Sequence, residues 1–108
     1  MINNAAFKFE LYKEAIKLFG PAHQSIVAIE ELSELQKEVT KAIRGGDRFP
    51  INRQHMCEEI ADVEIMLEQL RIIYNLPESE IFVYKDRKLK RLARRIIEKR
   101  EGKRNVKK

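Results

Sequence analysis

A chain of 108 residues with 44% apolar content suffices for one domain with a modest core, and its length argues against two. No run nears the roughly 20 apolar residues of a membrane span, the N-terminus has no basic start followed by an apolar block, and the lone Cys57 excludes an internal disulfide or a cysteine zinc site. These features describe a soluble protein of the reducing cytoplasm, and with 36% charged residues, only 4 Gly and 3 Pro, and no Trp, the favoured class is all-α.

The first apolar-periodic stretch, with Phe7, Leu11, Ile16, Leu18 and Phe19, ends at Gly20-Pro21, because proline starts a helix but does not sit inside one. A second helix is expected from about Ala22 to Arg44, since Ile26, Ala28, Ile29, Leu32, Leu35, Val39, Ala42 and Ile43 recur at helical spacing. Gly45-Gly46-Asp47 with Pro50 is its stop signal. The third helix starts at the N-cap Asn52 and carries Met56, Ile60, Val63, Met66, Leu67, Leu70 and Ile73 as far as about Tyr74. Asn75-Leu76-Pro77 breaks it, and Glu78 and Glu80 suit the first turn of a fourth helix that holds Ile81, Leu89, Leu92, Ile96 and Ile97 and fades near Gly102. The pattern predicts an antiparallel bundle of four main helices over residues 1–101, completed by self-association, with a basic, disordered tail at 102–108.

The net charge of +5 is unevenly distributed. Residues 85–108 hold 13 Lys or Arg against Asp86, Glu98 and Glu101, a local +10, while the rest carries 9 basic and 14 acidic groups, a local −5. Within that acidic body, carboxylates occupy helix positions where apolar residues are expected. Glu31 and Glu34 lie three apart, about 60° around the axis, with Glu38 between them one turn on. Glu59 and Asp62 repeat the spacing on the third helix, with His55 and Met66 on the same face. Two such pairs on neighbouring antiparallel helices aim four carboxylates at one small volume. Their repulsion and desolvation are relieved by a hard divalent cation such as Mg²⁺, which takes oxygen ligands and completes its shell with water and phosphates.

The segments Glu30-Glu31-Leu32-Ser33-Glu34 and Glu58-Glu59-Ile60-Ala61-Asp62 resemble the EExxE and ExxD motifs of the MazG-like all-α nucleoside triphosphate pyrophosphohydrolases, over roughly residues 20–97. The resemblance implies Mg²⁺ ligands at Glu31, Glu34, Glu59 and Asp62, with Mn²⁺ as a substitute ion. Glu30 and Glu58 match motif positions but point about 100° away from the metal face. The implied activity is Mg²⁺-dependent cleavage of a (deoxy)nucleoside triphosphate to the monophosphate and pyrophosphate, by analogy in clearance of surplus or modified nucleotides, with a dimer or a dimer of dimers as the assembly. Glu34 or Glu38 is the candidate acceptor of the water's proton.

The family also places a Lys and an Arg on the helix after ExxD, against the β- and γ-phosphates. The stretch Asp86-Arg87-Lys88-Leu89-Lys90-Arg91 resembles that pattern and puts Lys88 first, Arg91 second and Lys85 third. Lys85 interrupts the helix's own apolar stripe, a place where a lysine commonly snorkels to water. Gln24, two turns before Glu31 and about 10 Å along the axis, is a candidate base or sugar contact, with a solvated or capping role as the alternative. Cys57 reads as a small apolar filler, and Phe7, Phe9, Tyr12 and Phe19 as packing residues. Two alternatives stand beside this reading: an enzyme resembling phosphoribosyl-ATP pyrophosphohydrolase, and a helical module that binds nucleic acid through the basic C-terminal segment. The acidic body and the lack of interleaved aromatics weigh against nucleic acid.

Overall fold

The computed structural model describes residues 4–45 and 52–106, and the side chains among them up to residue 103. Four α-helices and no strand are present among the described residues: α1 (Ala5–Phe19), α2 (Pro21–Gly45), α3 (Arg53–Ile73) and α4 (Glu78–Val106). The chain divides into two compact units, Met1–Asn75 and Leu76–Lys108. No described helix is long and apolar enough to cross a membrane.

The helix ends follow local chemistry. Asn4 caps α1 by accepting from the amides of Ala6 and Phe7 at 2.9 and 3.2 Å, which occupies donors that lack a partner in a helix's first turn. Gly20 stops α1 at φ 96°, a left-handed backbone that suits a residue without Cβ, and its amide donates to Ile16 at 2.8 Å. Pro21 then opens α2. Asn52 caps α3 through the His55 amide at 3.1 Å. Asn75 ends α3 at φ 54°, a conformation asparagine tolerates better than most residues, and Pro77 follows. Gly46, Asp47 and Pro50 of the expected stop signal lie outside the described residues. α4 does not fade at Gly102 as expected but continues to Val106. One glycine near a helix end costs about 1 kcal/mol, too little to stop a helix already propagating over many turns.

In the first unit α1, α2 and α3 pack pairwise, with α2 against α3 the principal pair. Six described residues are buried: Tyr12, Ala28, Val63 and Met66, with the amides Gln24 and Gln69. That core is smaller than the apolar periodicity implies. Of the eight apolar positions expected to line α2, only Ala28 is buried, and Ile26, Ile29, Leu32, Val39 and Ile43 are exposed. Of the four aromatics expected to pack on α1, Tyr12 alone is buried; Phe7, Phe9 and Phe19 are exposed. Cys57 is exposed too, and so is not the filler its type suggests. α2 carries apolar residues around most of its circumference, so one neighbouring face covers only some of them.

Candidate metal centre

The buried face of α2 is polar as well as apolar. Gln24, Ala28, Glu31, Leu35, Glu38 and Ala42 fall within about 80° of one another around the axis. On α3, Met56, Glu59, Val63, Met66 and Leu70 share the face toward α2 within a similar arc. The acidic residues therefore sit in the packed stripes of both helices, between small and apolar neighbours. Glu31 and Glu59 are half-buried and Asp62 is exposed at the rim.

These three converge. One carboxylate oxygen each from Glu31, Glu59 and Asp62 lies within 4.8 Å of the other two, with one residue from α2 and two from α3. The i, i+3 spacing of Glu59 and Asp62 aims both at the same side of α3, and the antiparallel neighbour supplies the third. The Glu59 Oε2 atom is shut off from solvent and has no hydrogen-bond partner among the described residues. A buried, unpartnered carboxylate oxygen is costly and rare in a native structure, and it is an atom that could serve as a ligand to a cation.

The electrostatics agree with the geometry. The Glu31 carboxyl is held above its ordinary range, first by desolvation, then by the charge of Asp62 and a hydrogen bond shared with it, then by Glu59 and Glu34. Desolvation also raises Glu59, followed by the charges of Asp62, Glu34, Glu38 and Glu58. Carboxyls pushed upward by one another and by burial are groups whose ionised form a cation would favour. The donor set is all oxygen and all acidic, which suits a hard divalent ion. Adjacent and opposite ligands of octahedral Mg²⁺ stand about 3 and 4 Å apart, so small side-chain rotations would close the observed spread.

The other candidates are placed differently. Glu34 is exposed and pairs with Lys37 at 3.3 Å, outside the converging trio, although its charge reaches both Glu31 and Glu59. The Glu38 side chain is 15% exposed and pairs with Lys41 at 3.4 Å. Glu30 is exposed, and Glu58 accepts from Gln54 Nε2 at 3.0 Å. Lys85, Lys88 and Arg91 are all exposed on α4, where Asp86 pairs with Lys90 at 3.0 Å. His55 is exposed in the first turn of α3.

Gln24 is neither solvated nor a cap. It is buried, and its Nε2 donates to Gln69 Oε1 at 2.8 Å. Gln69 belongs to no motif, yet the sequence carries a signal for it: it follows Met66 by one turn and stands beside the apolar stripe of α3. Tyr12 packs as its aromatic type suggests, and its hydroxyl also interacts with Glu68. Burial, then a hydrogen bond and the charge of Glu68, push its pKa up to about 12.

Compared with family models, with curated proteins and with solved structures, the chain gives no match.

Proposed function

We propose that the chain is a Mg²⁺-dependent nucleoside triphosphate pyrophosphohydrolase of MazG-like, four-helix type, releasing a nucleoside monophosphate and pyrophosphate. The observation that carries this reading is the convergence of Glu31, Glu59 and Asp62 within 4.8 Å, with one oxygen of Glu59 buried and unpartnered. These three would hold the ion. Glu34 is the fourth ligand by motif, and because an exposed ion pair is worth about 1 kcal/mol or less, leaving Lys37 costs it little. When bound, a divalent ion supplies charge neutralisation for the triphosphate and lowers the pKa of a coordinated water.

The chain's own residues do the rest. Glu38, on the metal-facing side of α2 and largely shielded from solvent, is suited to accept a proton from the attacking water, and Glu34 is its competitor for the role. The family resemblance makes Lys88, Arg91 and Lys85, all exposed on α4, the candidates for binding phosphate oxygens. Self-association belongs to the same reading. Its support is the apolar surface left uncovered on α2, where Ile26 and Ile29 are 55% and 65% exposed and Ile43 is 75% exposed.

The test is pyrophosphate release from a panel of ordinary and modified nucleoside triphosphates, phosphoribosyl-ATP included, with and without Mg²⁺, for the parent and Glu59→Gln. Mg²⁺-dependent release by the parent and its loss in the variant are expected. An absence of release from every substrate would end the enzyme reading, and an undiminished variant would end the site assignment.

A further inference from the structure

Two of the six buried residues in the described chain are amides, Gln24 at 6% and Gln69 at 5% exposure. They bond to each other across α2 and α3 at 2.8 Å. Their remaining groups are also engaged: His23 Nδ1 lies 2.9 Å from Gln24 Oε1, and Gln69 Nε2 donates to Met66 Sδ at 3.5 Å. None of these contacts reaches a ligand site.

Their position relative to the carboxylates is informative. In an antiparallel pair, moving n residues forward on one helix matches moving n residues back on the other. Starting from Gln24 opposite Gln69 and moving seven residues along each helix leads to Glu31 opposite Asp62. Seven residues make two turns, about 10.5 Å, with a rotation of only about 20°, so the two pairs share one seam. The directional amide contact and the acidic contact are therefore in the same register.

The apolar core fixes this register weakly. Ala28 is the only buried apolar residue that α2 contributes, and a methyl group offers little to interlock. The carboxylates meanwhile repel when they are ionised with no cation bound, which favours sliding α2 past α3. A buried amide pair opposes the slide, because displacing either partner leaves polar groups unsatisfied away from water.

We propose that Gln24 and Gln69 form a register lock: a pair of positioning residues that hold Glu31 opposite Asp62 so that the cluster can accept a divalent cation. The cation half of this statement rests on the metal reading of the cluster, and the test separates the two. Nitroxide labels are placed at the exposed positions Arg44 and Glu64 in a Cys57→Ser background. They lie 15 residues apart in this register, about 22 Å along the axis. Distances are measured by dipolar spectroscopy in metal-free protein, for the parent and for Gln24→Met/Gln69→Met, which removes both amides at nearly constant volume.

The parent is expected to give one narrow distance. The double variant is expected to keep the parent's helicity and melting midpoint yet show a second population displaced by one turn, about 5 Å. Its Mn²⁺ affinity, measured by calorimetry on unlabelled protein, is expected to fall about tenfold or more, the scale on which misplaced ligands weaken a metal. An unchanged single distance in the double variant would overturn the lock, whatever the metal affinity. A displaced distance in the variant, with no Mn²⁺ binding by the parent, would leave the lock standing and remove the metal reading. Should the double variant unfold, Gln24→Asn, one methylene short of the bond, reads the same distance, and an unbroadened distribution there would likewise overturn the lock.

Discussion

Glu59 with Asp62 on α3 and Glu98 with Glu101 on α4 have the same i, i+3 spacing but different surroundings. The first pair faces α2, meets Glu31 within 4.8 Å and includes a buried, unpartnered oxygen. The second is exposed on a helix among whose described residues none is buried. Spacing along one helix brings two carboxylates to one side, but only a packed neighbour adds a third and shields part of the cluster from the water that would screen it. What distinguishes a candidate site from a solvated face is therefore the opposing helix.

That contrast can be broken most decisively in the assay. Glu59→Gln is expected to lower Mg²⁺-dependent pyrophosphate release by at least about 100-fold, since even residues that only support metal ligands cost about 10–100-fold when replaced. Glu98→Gln is expected to stay within about twofold of the parent, as solvated surface changes do. Comparable losses in both variants would erase the distinction. Next in size are the cations of α4: Lys88→Ala and Arg91→Ala are each expected to raise KM for the triphosphate about tenfold, the worth of about 1.4 kcal/mol, while Mn²⁺ affinity holds. A fall in Mn²⁺ affinity would mean that these residues act through the carboxylates instead.

The pH dependence of stability sharpens the comparison from another side. Glu31 and Glu59 are raised above their ordinary value of 4.5, so the folded chain binds more protons than the unfolded one in that window. Their contribution is fully present below pH 4.5 and is lost as pH rises through the elevated values, so metal-free protein is expected to melt progressively lower across that range. Glu59→Gln should flatten the slope in a series of thermal melts, whereas Glu98→Gln should leave it unchanged. The smallest effect concerns Tyr12, whose hydroxyl is pushed up to about 12 by burial and Glu68. Glu68→Gln is expected to move the midpoint of its ionisation to lower pH in an ultraviolet titration, because the charge of Glu68 disappears, and an unmoved curve would remove Glu68 from that account.

Much of this was legible in the chain itself. Asn4 was not singled out, but Gly20-Pro21, Asn52 and Asn75-Leu76-Pro77 marked helix ends because backbone groups there need particular local chemistry. The carboxylate face was legible because helical geometry converts spacing into direction. Burial was not, since which apolar residues are covered depends on how many neighbours a helix has, and α2 is apolar on more sides than α1 and α3 cover. Gln24 illustrates the same gap: its position was readable relative to Glu31, but its partner Gln69 lies on another helix, and only packing brings them to 2.8 Å. Glu34 faced the right way by angle, and its flexible side chain instead took the lysine one turn ahead.

The central claim is that α2 and α3 together build a divalent-cation site. Its most direct measurement is calorimetric titration of Mg²⁺ into metal-free parent and Glu59→Gln, repeated in buffers of different ionisation enthalpy. The account predicts saturable binding by the parent with proton release that grows as pH is lowered toward the ordinary carboxylate range, because the ion displaces protons from Glu31 and Glu59, and it predicts loss of both binding and proton release in the variant. Binding of equal strength in the two proteins, or none in the parent, would contradict it.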